Sequence, residues 1–181
     1  MLRAVGILRN VLRAVGILLI FGFTLIVCLI IFIWVVFKIY SWDWEKGALP
    51  QSVEVTRVLT SGYESDLREG CAIAIYSLSP SMVAGLEQKG IAYLGHDTQS
   101  RNGRTKTNPY SDWQKTPVPT DPYLYAWHAA YGCGLGFDKT ILPRIQEISQ
   151  SPGGFYIKTK NNEGLILVLP KQKLAVYIYF G

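Results

Sequence analysis

Residues 14–37 read AVGILLIFGFTLIVCLIIFIWVVF, 24 positions without a charge between Arg13 and Lys38. As a helix rising ~1.5 Å per residue, that stretch covers roughly 36 Å, enough to cross bilayer hydrocarbon. A core helix of a soluble protein keeps a polar stripe at the helical period, and here Thr24 is the only hydroxyl. Leu, Ile, Val and Phe contribute about −0.3 to −0.6 kcal/mol each on insertion scales, so the run as a whole favours the membrane.

The flanks differ in chemistry. Arg3, Arg9 and Arg13 precede the run, while Trp34, Tyr40, Trp42 and Trp44 cluster at its far end, where amphipathic rings favour headgroups. Arginines held on the cytoplasmic side predict an N-in, C-out orientation, with Lys38 and Lys46 reducing the asymmetry to three against two. A cleavable signal peptide has a shorter apolar region and a small-residue cleavage site, and neither is present, so an uncleaved signal anchor is expected. LRAVGIL occurs at 2–8 and again at 12–18. Ten residues turn a helix through about 1000°, so the copies do not share a face and read as a duplication. Gly16 and Gly22, six apart, do not make a small-xxx-small pairing motif.

Four segments follow from this reading: a short cytoplasmic N-terminus at 1–13, the anchor at 14–37, a juxtamembrane linker at 38–51 containing Gly47 and Pro50, and an extracytoplasmic domain at 52–181. The net charge of +5 belongs mainly to the N-terminal segment. From Glu45 onward there are fourteen basic and twelve acidic residues, a near balance that gives no footprint for nucleic acid.

The domain reads as α+β. Residues 52–60 alternate Val53, Val55 and Leu59 as a strand; 61–70 are polar and read as a turn or surface helix; 71–78, CAIAIYSL, form a buried strand. Ser79 and Pro80 open a short helix closed by Gly90, and 91–95 are expected as a returning strand, making a strand-helix-strand unit. Residues 96–122 have no hydrophobic period and read as a long loop. Two helices follow, one through Tyr123, Leu124, Trp127 and Tyr131, the other capped by Asp138 with Ile141, Leu142, Ile145 and Ile148 on one face. The C-terminal part predicts a three-strand antiparallel meander, its last strand turning Leu174, Val176, Ile178 and Phe180 one way and Ala175, Tyr177 and Tyr179 the other.

Candidate chemistry is sparse. Cys28 lies inside the apolar run as a filler; Cys71 and Cys133 are open to three readings, a disulfide, two buried thiols, or a nucleophile beside His96 or His128. Two scattered histidines do not make a zinc site, and Gly132-Cys-Gly-Leu-Gly follows a helix and lacks the lysine and hydroxyl of a phosphate loop. Lys158, Lys160, Lys171 and Lys173 read as edge-protecting charges, with contact to anionic headgroups as the alternative. No metal or cofactor is implied.

The long loop is the expected contact surface, through Arg101, Arg104, Lys106, Tyr110 and Trp113. The functional expectation is a non-catalytic interaction module in the cell envelope, tethered to the lipid bilayer and binding a protein partner. The absence of Asn-x-Ser/Thr sequons fits a bacterial inner membrane with the domain in the periplasm. A membrane-bound Cys/His hydrolase and a periplasmic immunity or inhibitor protein are the alternatives.

Overall fold

A computed structural model describes residues 2–65, 70–97, 99–103, 109–120, 125–133 and 137–181, and leaves aside the side chains of 2–15, 38–45, 65, 125, 128 and 129. The chain forms two compact units, Met1–Trp42 and Asp43–Gly181. The first is helical, part of α1 (Leu2–Gly47). Within it Gly16–Phe37 is long and apolar enough to cross a membrane, with mean hydropathy 3.1 and no part buried. The hydroxyl of Thr24 donates to Ile20 O at 2.9 Å, so the polar side chain in this stretch is satisfied by its own helix.

The helix extends past the expected span into residues 38–47. The chain remains helical to Gly47, and Leu49 and Pro50 are buried in the second unit. The cause is in the residue types: Leu49 and Val53, both 0% exposed, are apolar enough to join a core.

The second unit is a mixed α+β domain built on one antiparallel sheet. Its strands are β1 (Val55–Ser65), β2 (Gly70–Leu78), β3 (Gln114–Lys115), β4 (Phe155–Lys158), β5 (Gly164–Leu169) and β6 (Leu174–Phe180). Their spatial order is β1-β2-β6-β5-β4-β3. The three C-terminal strands therefore sit inside a wider sheet, with β2 joined to β6 through pairs such as Ile73 to Ile178 and Ile75 to Val176.

Three expectations are corrected here. Residues 61–65 continue β1, pairing from Thr60 opposite Ile75 to Ser65 opposite Gly70, because a polar sequence is tolerated on an edge strand. Residues 66–69 lie outside the described set. The returning strand at 91–95 is absent; Gly90–Leu94 is a 3-10 helix that follows α2 (Pro80–Lys89). Gly90, at φ 58°, turns the chain back, and the Tyr93 ring occupies the space that a Cβ on Gly85 would need, while Leu94 is buried. The expected strand-helix-strand unit therefore does not form, and every strand pairing is antiparallel.

Strand alternation sends side chains to two faces, and both are covered. On one lie Ile73, Ile75, Leu165, Leu167, Val176 and Ile178, under Ala126, Trp127 and Ala130 of α3 (Tyr125–Gly132) and Leu142 and Ile145 of α4 (Leu142–Ser149). On the other lie Ala74, Tyr76, Ile157, Ile166, Val168 and Ala175, under Met82 and Leu86 of α2 together with Leu49, Val53, Leu94, Tyr110 and Trp113. Side-chain caps start α2 and the 3-10 turn ahead of α4. Ser79 accepts from Met82 N at 3.0 Å, and Asp138 accepts from Thr140 N at 3.0 Å in the 3-10 turn that leads into α4.

Leu167→Ala and Ile166→Ala probe the two faces separately, since both residues are 0% exposed. Each should lose about 2–5 kcal/mol of domain stability in urea unfolding. A loss near zero for Ile166→Ala alone would mean that the second face is not covered.

Candidate functional site

The described residues between 97 and 110 are fastened to the segment that leaves α1. Asn102 N–H donates to Gly47 O and Arg101 N–H to Leu49 O, both at 3.0 Å. The Arg101 guanidinium donates to Val53 O at 2.6 Å, the Tyr110 hydroxyl donates to Ala48 O at 2.8 Å, and Ser52 N–H donates to an Asp97 carboxylate oxygen at 3.2 Å. Pro50 and Ser100 form an isolated antiparallel bridge. A segment with few backbone partners of its own is thus supplied with them by the loop.

This fastening leaves an open polar cleft of about 540 Å³ lined by Gln51, His96, Asp97, Gln99, Arg101 and Asn102 among others. His96 and Gln99 are exposed, so their polar atoms are available to a ligand. Asp97 and Arg101 are already engaged with the main chain of 52 and 53 and serve as the walls of the cleft. Such a lining suits a polar surface that can trade hydrogen bonds.

The aromatic members of the expected contact surface lie elsewhere. Tyr110 is 2% exposed and Trp113 8%, both within the core over the second sheet face. A loop without hydrophobic period can still contribute isolated large side chains to a core, which period counting does not detect. Burial pushes the Tyr110 hydroxyl well above its ordinary range, helped by the nearby hydroxyls of Tyr177 and Tyr76. Trp113 Nε1 is buried without a hydrogen-bond partner among the described residues. Arg104 and Lys106 lie outside the described residues, as do the side chains of Arg9, Arg13, Tyr40, Trp42, Trp44 and His128. Trp34 is 61% exposed at the end of the apolar run.

Cys71 of β2 and Cys133, just after α3, are joined by a disulfide, with Cα atoms 5.6 Å apart and a sequence separation of 62. It ties α3 to the sheet face that α3 covers. Both domain cysteines are consumed in it, so neither offers the thiolate that a Cys/His hydrolase requires. Among the described residues no three His, Cys, Asp or Glu side chains converge as metal ligands. Compared with known proteins, the chain matches no family model, no curated protein and no solved structure.

Sequence reasoning missed the part played by residues 47–53. Leu49 and Val53 stand four apart, a weak apolar signal masked by Gly47 and Pro50.

Two measurements follow from these contacts. Tyr110→Phe should cost about 0.5–1.5 kcal/mol near neutral pH through loss of the Ala48 hydrogen bond. A raised tyrosine contributes stability that is complete below the unfolded value of 10.0 and is lost as pH rises toward the folded one. The native domain should therefore lose stability more steeply above pH 10 than Tyr110→Phe does; equal slopes in thermal melts would contradict this. Paired Cys71→Ala and Cys133→Ala should lower stability by roughly 2–4 kcal/mol, and reduction of the native protein should do the same.

Proposed function

We propose that this chain is a single-pass membrane protein whose C-terminal domain lies outside the cytoplasm and acts as a non-catalytic interaction module in the cell envelope. The reading is carried by the combination, in one chain, of a fully exposed apolar helix and a disulfide-bonded domain. A helix of 22 residues with mean hydropathy 3.1 has no stable place in water, and lipid is the solvent that suits it. The disulfide between Cys71 and Cys133 favours an oxidising compartment for everything after the span. Arg3, Arg9 and Arg13, which resist translocation, favour the same orientation with the N-terminus in the cytoplasm. In a bacterium these two preferences support a periplasmic domain anchored in the inner membrane.

The interaction part of the reading rests on the polar cleft of Gln51, 96–97 and 99–103, which offers hydrogen-bonding side chains on a firm base. The partner is expected to be another envelope protein. The hydrolase alternative loses its nucleophile to the disulfide, and no feature singles out immunity or inhibition.

The anchor predicts that the full-length protein sediments with membranes through a carbonate wash and is released only by detergent; recovery in the supernatant would reject it. In spheroplasts, added protease should digest a tag placed after Gly181 and spare one placed before Met1. The reverse pattern would invert the topology. Cross-linking in intact cells should recover a defined envelope partner with the native protein.

A further inference from the structure

A second cleft, of about 390 Å³, lies at the edge of the sheet opposite β1, where Lys89 at the end of α2 and Ile91 and Ala92 of the 3-10 helix share a lining with Lys115, Pro152 and Phe155. Its lining includes the apolar Ile91, Ala92, Pro152 and Phe155, and among the described residues no acidic side chain lines it. Its cations are Lys89 and Lys115, and a third approaches: the Lys171 ammonium is 3.6 Å from where a Cβ on Gly153 would stand. Gly153 has φ +114°, a conformation closed to other side chains, so the wall stays bare at that point.

The strand beside the cleft is open. Among the described residues β3 is last in the sheet and pairs with β4 alone. Thr116 N–H donates to Gly154 O at 3.0 Å, and Gly154 N–H donates in return to the Thr116 hydroxyl at 2.9 Å, so the Thr116 N–H faces β4. Antiparallel alternation then turns the N–H and C=O of Lys115 away from β4, toward the free edge. At the other edge, β1 carries register shifts between Val55 and Arg57 and between Val58 and Thr60, bulges that discourage an incoming strand.

We propose that the β3 cleft captures the C-terminal residues of a partner protein. An extended segment adds beside β3 through the main-chain groups of Lys115. Its last apolar side chain rests on Ile91, Ala92 and Phe155, and its terminal carboxylate meets the ammonium groups of Lys89, Lys115 and Lys171. A single-chain anionic amphiphile would satisfy the lysines and the apolar floor but leave the Lys115 main chain unmatched; a peptide terminus uses all three. The inference rests on the reading of the domain as an interaction module and specifies the chemistry of its partner.

The test uses the full-length protein in nonionic detergent and a labelled pool of acetylated hexapeptides ending in Leu, Ile, Val or Phe with a free carboxylate, read by fluorescence anisotropy. Binding is expected, with the C-terminally amidated pool at least about tenfold weaker. The double variant Lys89→Glu, Lys115→Glu should weaken the free-acid pool by a similar factor, and methylating the peptide amides that face β3 should abolish binding. Failure of the pool to bind, equal binding of acid and amide, no effect of the double variant, or binding of decanoate in place of the peptides would each overturn the proposal. Cross-linking of the double variant in cells separates this failure from a wider one. If the partner is retained while the peptides fail, only the cleft assignment falls; if no partner is recovered with the native protein either, the interaction reading falls with it.

Discussion

A single antiparallel sheet with apolar side chains on both faces has to be covered on both sides, and most of this domain's architecture is the answer to that requirement. All six residues of β5 are buried, Leu165 and Leu167 against one layer and Ile166 and Val168 against the other. One face receives conventional cover from α3 and α4. The other has only the ten-residue α2, which is too short for six strands, so it draws in Leu49, Val53, Leu94, Tyr110 and Trp113 from segments without regular strand or α-helix structure.

That recruitment shapes the surface. Once Tyr110 and Trp113 are committed to the core, the polar residues between them and the strands are left outside, and the main chain near 48–53 must find partners locally. Arg101, Asp97, Asn102 and Tyr110 supply them. The polar cleft is therefore a by-product of covering the sheet, held by the same bonds that close the core. At the far edge the two-residue β3 is too short to fill the space beside α2, which leaves the apolar cleft with its lysines.

The disulfide works on the better-covered face. It joins Cys71 on β2 to Cys133 beyond α3, so the eight-residue helix, which buries mainly alanines and one tryptophan, is retained by a covalent bond as well as by its modest apolar area. Its chemistry also links the fold to a compartment, because a bond of this kind persists where thiols are not kept reduced.

Read alone, the amino-acid order determined what depends on local composition: the apolar run at 14–37, the mixed α+β class, the caps at Ser79 and Asp138, and the apolar alternation in the C-terminal strands. These are properties of a residue and its near neighbours, and period and cap chemistry report them directly. Only the tertiary structure decided the pairing of β2 with β6, the edge position of β1 and the 3-10 fold-back at Gly90–Leu94. It also decided that Leu49, Tyr110 and Trp113 are core residues while His96 and Gln99 face a cleft. Each of those depends on which surfaces meet at long sequence separation, and a side chain that covers a distant sheet carries no mark of it among its own neighbours.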